Sequence, residues 1–206
     1  MPNAHEFPSA PGFHDCEWQT PSGARMRLSL HLPAKPTNPP LVLALHYGGQ
    51  PVGYYGRGLL ETLVVPAWRA LDAVFVAPVS LGGAWQTADN LAALLALVEE
   101  LTRVYATDRA RAVVTGYSLG AAGCWHLAAE ASPRFSAAVP LAGAPPNPTD
   151  PINVPVYALH SRADQLFGFA DVEAAIAALV AGGTPIALHA LASGGHFDVA
   201  AFVPAL

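Results

Sequence analysis

AVVTGYSLGAAGCWHLAA, residues 112–129, decides the fold of this chain. The stretch begins with a short apolar β-type run, Ala112–Gly116, and continues into a helical pattern, Leu119–Glu130, with Ser118 at the turn between them. In a Gly-x-Ser-x-Gly motif the serine lies on a sharp strand-to-helix turn, which crowds the residues two places away on either side. Glycine at both of those places removes the side chains that would clash. The stretch therefore predicts an elbow that presents Ser118 as a nucleophile.

The same alternation of strand and helix extends outward from the elbow over about 160 residues. Most of the strands are continuously apolar, which is typical of a parallel sheet covered on both faces. We therefore predict an α/β fold, with a mostly parallel twisted sheet of about seven strands and helices on both faces. The predicted strands are Met26–Leu32, Leu41–Leu45, Ala73–Ala77, Ala112–Gly116, Ala137–Leu141, Val154–Leu159 and Ile186–Leu191.

Helical periodicity lies between these strands. Asp89 and Asp171 each precede an apolar pattern with a period of 3.6 residues, so both are predicted to be helix N-caps. Pro66 is expected to divide the first helix, because proline lacks the backbone donor that a helix interior uses. The predicted helices are Gly58–Leu71, Asp89–Tyr105, Leu119–Glu130 and Asp171–Ala181.

The chain is predicted to have one domain, residues 25–206, after an N-terminal lead-in, residues 1–24. The lead-in is rich in proline, glycine and histidine, with one short strand expected near Phe13–Trp18. The alternating pattern of Met26–Leu32 predicts a half-exposed strand at a sheet edge. Residues 33–40 are predicted to be a turn because four of them are proline.

The composition excludes several classes of protein. Hydrophobic residues make up 52% of the 206 residues and charged residues 12%, about half the usual share of roughly 25%. A disordered chain needs high charge, and a coiled coil needs many glutamates and lysines. Ten basic and 15 acidic residues give a net charge of −5. The basic residues form no stripe, so no nucleic-acid partner is expected.

Signals for membranes and cofactors are not found in the sequence. The apolar runs are broken before the ~20 residues that a membrane span needs. The N-terminal residues lack the pattern of a signal peptide, so we expect a cytoplasmic protein. No Gly-x-Gly-x-x-Gly loop follows the first strands, and Lys35, the single lysine, is not in a phosphate-binding loop. Cys16 and Cys124 are too few for a disulfide framework. No cofactor is therefore expected.

The general base is predicted from the loops that follow the strands, because ligands of such sheets lie beyond the carboxyl ends of the strands. A serine hydroxyl is a weak nucleophile and needs a base. His196 follows the last strand in a Gly-Gly turn, whereas His160 and His189 are less well placed. The alternative is a histidine that has no partner, or one that caps a short helix at Asp198–Val203.

The imidazole then needs a carboxylate that fixes its tautomer. Asp164 follows the second strand after the elbow and is the predicted acid. Asp171 is the rival, although a role as a helix cap explains it without catalysis. Asp150 lies in a proline-rich loop, and Asp198 follows His196 too closely to orient it.

An oxyanion requires two preformed donors. One is predicted to be the backbone N–H of Leu119, the residue after the nucleophile. The other is expected from the loop after the first central strand, His46-Tyr47-Gly48-Gly49-Gln50, with Tyr47 and Gly48 as the candidates. His46 is interpreted as a residue that holds this loop.

A metal site is the alternative interpretation of four side chains near strand ends. A zinc hydrolase would not need a glycine elbow, and the sequence has no His-x-x-x-His pattern or cysteine pair. We therefore expect no metal. The four side chains are His46, His160, Asp164 and His196.

The chain resembles the α/β-hydrolase superfamily, over roughly residues 26–203. Within it, the sequence is similar to the compact phospholipase/carboxylesterase and dienelactone-hydrolase-like esterases. The resemblance rests on the order Ser118, Asp164, His196 and on five segments. The segments are LVLALHYGG (41–49), VVTGYSLGAAG (113–123), RFSAAVPLAGAPP (134–146), VYALHSRAD (156–164) and ASGGHFD (192–198).

Two positions depart from the family pattern. The family usually has His-Gly in the oxyanion loop, but here His46 is followed by Tyr47 and the glycines come one place later. This shift leaves open which backbone N–H is the second donor. Dienelactone hydrolases carry a cysteine nucleophile, so Ser118 disfavours a plain dienelactone hydrolase. Cys124 is interpreted as a small buried hydrophobic residue.

The loops also bear on the substrate. Many lipases of the superfamily insert a helical lid before the acid, but residues 142–153 form only a short proline-rich loop, so no lid domain and an open cleft are expected. Arg57 or Arg162 is a candidate for holding an anionic group, although a solvated surface charge or an ion pair is the favoured interpretation of each. The candidate pocket residues are Tyr54, Trp85 and Phe167, together with Gln86, Tyr47 and Tyr55.

The predicted function is hydrolysis of small-molecule carboxylic esters with short- to medium-chain acyl groups, through an acyl-enzyme on Ser118. An acyl thioesterase or lysophospholipase is the alternative within the same chemistry, and a catalytically silent binding module is the alternative outside it. The low charge and high apolar content leave room for a homodimer interface. Because fold alone does not fix function, the substrate class rests on the family resemblance.

Overall fold

The structure is a computed structural model that describes residues 7–34, 37–146 and 152–206. Its centre is one eight-stranded sheet with the order β1-β2-β4-β3-β5-β6-β7-β8. All pairs from β4 to β8 are parallel, whereas β1–β2 and β2–β4 are antiparallel. The strands are β1 (Gly12–Gln19), β2 (Arg25–Leu32), β3 (Leu41–Leu45), β4 (Val74–Pro78), β5 (Ala112–Tyr117), β6 (Ala137–Leu141), β7 (Val156–Ser161) and β8 (Ile186–Leu191).

The predicted fold class is confirmed, but the sheet has one more strand than expected. The additional strand is β1, which confirms the short strand expected near Phe13–Trp18 in the lead-in. It pairs with β2 along its whole length, from Gly12 opposite Leu32 to Gln19 opposite Arg25. The edge of the sheet on this side is therefore β1, and the prediction of an edge strand at Met26–Leu32 is wrong. The alternating pattern of β2 matches its burial, since Met26, Leu28 and Leu30 are buried whereas Arg27 and His31 are only partly buried.

Three long helices cover one face of the sheet. They are α1 (Ala88–Tyr105), α2 (Leu119–Glu130) and α3 (Phe169–Ala181). Their buried side chains, such as Leu97, Trp125 and Ile176, share one core cluster with the inward-facing residues of the strands.

A broken helix, residues 57–71, covers the other face together with a C-terminal 3-10 segment, Val199–Ala205. The broken helix passes from α-helix through a π-helical turn, Leu60–Val64, into a second α-helical piece and a 3-10 turn. Pro66 lies at the start of the second α-helical piece, Val65–Trp68, directly after the π-helical turn, so it interrupts the helix as expected of a residue without a backbone donor.

Both predicted N-caps are wrong. Helix α1 is capped by Thr87, whose side-chain oxygen accepts from the N–H of Asn90, and Asp89 lies inside the first turn. Helix α3 follows Gly168, and Asp171 again lies inside the first turn. Both aspartates are in the first helical turn, where a negative charge is favoured by the helix dipole.

Two earlier expectations concern residues that are only partly described. The loop between β6 and β7 contains residues 147–151, so Asp150 lies outside the described residues. The predicted turn at 33–40 contains residues 35 and 36, which are also outside them. Across the described ranges, no helix is both long and apolar enough to cross a membrane.

Candidate active site

The elbow holds Ser118 in a strained backbone conformation between β5 and α2. Ser118 has φ +55° and ψ −113°, which L-residues rarely adopt. A Cβ on Gly116 would lie 2.1 Å from the carbonyl oxygen of Gly120, and a Cβ on Gly120 would lie 1.9 Å from that of Leu45. Neither contact is possible for a side chain, so glycine is required at both positions.

The three residues predicted as nucleophile, base and acid are brought together by their loops. Ser118 Oγ lies 2.8 Å from His196 Nε2, and His196 Nδ1 lies 2.8 Å from Asp164 Oδ2. With the ring proton on Nδ1, the imidazole donates to Asp164 and accepts from the Ser118 hydroxyl. This is the geometry that nucleophilic catalysis by serine requires.

Asp164 is buried and is held as a carboxylate. Its Oδ1 accepts from the backbone N–H groups of Leu166 and Phe167, both at 2.8 Å, while Oδ2 faces His196. Burial would raise the pKa of this carboxyl, but the hydrogen bonds from Phe167, His196 and Leu166 outweigh it, so the pKa of Asp164 lies below its ordinary value. Asp171, the rival acid, belongs to the first turn of α3.

The backbone of His196 is fixed from both sides. Its N–H donates to Gln165 Oε1 at 2.7 Å, and its carbonyl oxygen accepts from the Tyr117 hydroxyl at 2.9 Å. Sequence reasoning missed both residues, although each is a chain neighbour of a predicted site residue, Ser118 or Asp164. The imidazole is thereby oriented through its own peptide groups as well as through its ring.

The loop after β3 is held by its carbonyl groups. The carbonyl oxygens of His46, Tyr47 and Gly48 accept, in that order, from Trp85 Nε1 at 3.0 Å, His46 Nδ1 at 2.7 Å and the Tyr55 hydroxyl at 3.0 Å. In a trans peptide the N–H points opposite to the carbonyl of the same unit. The N–H groups of Tyr47, Gly48 and Gly49 therefore point away from these three partners.

This loop lies beside the start of α2. A Cβ on Gly48 would be 3.8 Å from Leu119 Cβ, so the two segments are neighbours with space for about one methyl group between them. Leu119 is the first residue of α2, where backbone N–H groups have no intrahelical acceptor. Backbone donors from the two segments can converge beside Ser118, as an oxyanion hole requires.

His46 fastens the loop as a neutral imidazole. Its Nδ1 donates to the Tyr47 carbonyl, and its Nε2 accepts from the Ser80 N–H at 3.2 Å. The ring also packs against Trp85 and Tyr55, with ring centres 4.8 and 4.9 Å away. Burial lowers the pKa of His46, which agrees with these neutral partners.

A cavity of about 490 Å³ opens above Ser118. It contains the predicted residues Tyr47, Gly48, Ser118 and His196. The structure adds four lining residues that sequence reasoning missed, each close in the chain to Ser118, Asp164 or His196. They are Tyr117, Leu166, Phe197 and Val199.

The three residues predicted specifically for the pocket do not line this cavity. Trp85 is only 1% exposed and lies in the core, where it supports the loop after β3. Phe167 is partly buried with its ring centre 5.5 Å from that of His196. Tyr54 is partly buried, and its carbonyl accepts from the N–H of Arg57.

The two arginines considered for anion binding have other partners. Arg57 lies 2.7 Å from Glu61 and 3.3 Å from Asp15, and its guanidinium stacks over the ring of Phe13. Arg162 stacks over the ring of Phe169 at 4.2 Å.

Two other reactive side chains, His160 and Cys124, do not line the cavity. His160 Nε2 donates to the Phe167 carbonyl at 2.8 Å and lies 3.8 Å from Asp164 Oδ2. Cys124 is fully buried, and burial raises the pKa of its thiol. In the ranges that the structure describes, no three histidine, cysteine or acidic side chains form a metal-binding group.

The sequence of the chain matches one protein-family model. Residues 80–200, which include the elbow and all three polar residues of the site, match the model of the dienelactone hydrolase family. The chain belongs to the dienelactone hydrolase family. Unlike the family pattern described above, this member has serine at the nucleophile position. Family and fold together identify a hydrolase of the α/β class.

Solved structures share the fold at low sequence identity. A thermostable esterase superposes with a TM-score of 0.75 at 20% identity, covering 94% of this chain but only 59% of that protein. An S-formylglutathione hydrolase from Staphylococcus aureus gives 0.73 at 15%, with 96% of both chains covered. A lidless α/β serine hydrolase from Xanthomonas campestris gives 0.68 at 19%, covering 93% of this chain and 88% of that one. No curated protein matches the sequence.

Proposed function

We propose that the protein is a serine esterase that cleaves carboxylic esters through an acyl-enzyme. The observation that carries the proposal is the continuous hydrogen-bonded chain from Ser118 through His196 to Asp164 at the wall of an open cavity. A serine nucleophile is activated by an adjacent base, which is in turn oriented by a third group.

The proposed reaction begins when Ser118 Oγ attacks the ester carbonyl and His196 Nε2 takes the hydroxyl proton. The tetrahedral oxyanion accepts from the N–H of Leu119 and from an N–H of the loop after β3, at Tyr47 or Gly48. His196 then protonates the departing alcohol. A water molecule, activated by the same ring, releases the acid and restores Ser118.

The cavity supports substrates of modest size. Its volume of about 490 Å³ lies in the lower half of the range of ligand pockets. The segment between β6 and β7 has no room for a lid domain, since Leu141 and Val156 are only 15 positions apart (156 − 141). Short- to medium-chain acyl groups are therefore the proposed substrates.

The test is a series of p-nitrophenyl esters from acetate to palmitate, assayed with the wild type and with Ser118→Ala. We expect hydrolysis that is fastest for short chains and falls by at least about 10⁴-fold in the variant. Ser193→Ala is the matched control, because Ser193 is an exposed serine in the loop after β8. Ester hydrolysis that survives in folded Ser118→Ala contradicts the proposal.

A thioester is the second candidate substrate. One structure of the same length and fold is an S-formylglutathione hydrolase, whose name indicates thioester cleavage. The same nucleophile and oxyanion donors serve esters and thioesters, because both react through a tetrahedral oxyanion. A matched pair, ethyl butyrate and ethyl thiobutyrate, distinguishes the two by the ratio of kcat/KM.

A further inference from the structure

The mouth of the cavity has an exposed apolar pair on the side of His196. Leu166 is 58% exposed and Phe197 is 75% exposed, and both line the cavity. Leu166 follows Asp164 by two positions, and Phe197 directly follows His196. Large apolar side chains left in water beside a reactive group commonly mark a ligand surface.

The two side chains are attached to rigid parts of the site. The N–H of Leu166 donates to Asp164 Oδ1 at 2.8 Å. The ring of Phe197 packs edge-to-face on that of His196, with the centres 5.4 Å apart. The two apolar side chains are therefore placed next to the atoms that react, and a substrate that covers them has its carbonyl near Ser118.

The same mouth lacks a partner for a negative charge. The described lining residues are aromatic, aliphatic, glycine or serine, apart from His196. Arg57, which is paired with Asp15 and Glu61, and Arg162, which stacks over Phe169, are not among the residues that line the cavity. The charge nearest to the base is the carboxylate of Asp164. A carboxylate on the substrate would lose water here without a compensating cation.

We propose that Leu166 and Phe197 select esters whose acyl group is uncharged and apolar, and that esters carrying a second carboxylate are rejected. This proposal rests on the esterase function proposed above and adds the class of substrate and the two residues that determine it. The acyl chain covers the apolar pair while its carbonyl reacts at Ser118.

The test compares p-nitrophenyl hexanoate with the monoester p-nitrophenyl adipate, which has the same six acyl carbons but ends in a carboxylate. For the wild type we expect kcat/KM to favour hexanoate by about 100-fold, because a carboxylate held against the apolar pair loses part of its hydration without a compensating cation. Each value is corrected for the spontaneous hydrolysis of its ester. If both esters are cleaved equally well, the selectivity is absent. If neither ester is cleaved, the proposed function fails instead.

Charge substitutions locate the selectivity. Leu166→Arg keeps the backbone bond to Asp164 and places a cation at the mouth, so the preference for hexanoate should shrink by about tenfold. Phe197→Arg is the second variant, which serves if the first does not fold. Leu71→Arg is the control with the same net charge, since Leu71 is exposed before β4, at the opposite end of the sheet. An equal change in Leu71→Arg overturns the assignment.

Discussion

Two loops meet at Ser118, and they are held in opposite ways. The loop after β3 is tied down by the carbonyl oxygens of His46, Tyr47 and Gly48. The loop after β8 is held at His196 through both its N–H and its carbonyl. The first arrangement turns backbone N–H groups away from the carbonyls' partners, whereas the second uses the backbone to position an imidazole.

The two histidines of these loops show the same contrast. His46 and His196 are both buried at strand ends, and both ring nitrogens of each have partners. The partners of His46 are backbone groups that cannot exchange protons with it at neutral pH. Those of His196 are a hydroxyl and a carboxylate. The chemistry of a buried histidine is therefore decided by its partners, and burial alone does not distinguish a base from a fastener.

The largest expected effect comes from removing the imidazole of the loop after β8. His196→Ala should lower kcat for ester hydrolysis by about 10⁶-fold, because Ser118 loses its base. Added imidazole should restore part of the activity, since the variant leaves space for it. His189→Ala is the matched control, as His189 is exposed on the edge strand β8. Unchanged hydrolysis in folded His196→Ala would remove the base from the mechanism.

The next effect concerns the tautomer of the same ring. Asp164→Asn keeps an oxygen for the N–H groups of Leu166 and Phe167, but its amide group would donate to His196 Nδ1. The ring proton then moves to Nε2, which can no longer accept from Ser118, so kcat should fall by about 10⁴-fold. Asp171→Asn, which alters the rival acid, should change kcat little. A reversed result in the two variants would exchange their roles.

His46 should affect stability more than chemistry. His46→Leu leaves the Tyr47 carbonyl and the Ser80 N–H without their partner, at a cost of about 2 kcal/mol in the free energy of unfolding. The pKa of His46 is lowered in the folded state, so the unfolded chain takes up a proton first as pH falls. Wild-type stability should therefore decline below the unfolded pKa of about 6.5, and His46→Leu should lack this component. Denaturant unfolding at pH 5 to 8 measures both, and identical slopes would contradict the prediction.

The smallest expected effect comes from removing one tyrosine hydroxyl that holds each of the two loops. Tyr55→Phe frees the Gly48 carbonyl and Tyr117→Phe frees the His196 carbonyl, and each should lower kcat by about tenfold with KM unchanged. The losses should add in the double variant, because the two hydroxyls share no partner. Tyr105→Phe is the control, since its hydroxyl donates to Pro8 away from the cavity. A rise in KM without loss of kcat would indicate a binding role.

Much of the fold was predictable because its strongest patterns are local. The bounds of β3, β6, β8 and α2 agree with the sequence predictions, since continuous apolar runs and the glycine elbow define them without reference to distant residues. Strand β1 was harder to place, because its position at the edge depends on pairing with β2 rather than on its own polar pattern. The N-cap at Thr87 was missed because aspartate and threonine both serve as caps, and only the backbone decides between them.

The site was predictable where a residue type is tied to a chemical role. Ser118, Asp164 and His196 were selected by type and order, and the structure brings them together, although their catalytic roles stay predictions. Trp85 was misplaced because an indole suits a core as well as a pocket. Gln165 was missed because its role comes from a contact with a loop 31 positions later (196 − 165).

The crowding of the elbow glycines limits how this sequence can drift. Every missense change of a glycine codon introduces a Cβ, and at Gly116 and Gly120 that atom would overlap backbone oxygens. Gly12 and Gly23, in contrast, have open space around them, so only their backbone angles resist replacement. In a random mutant library sorted for folded protein, substitutions at Gly116 and Gly120 should be absent. Selection for folding alone would therefore preserve the setting of Ser118, even in a lineage that no longer used its hydroxyl.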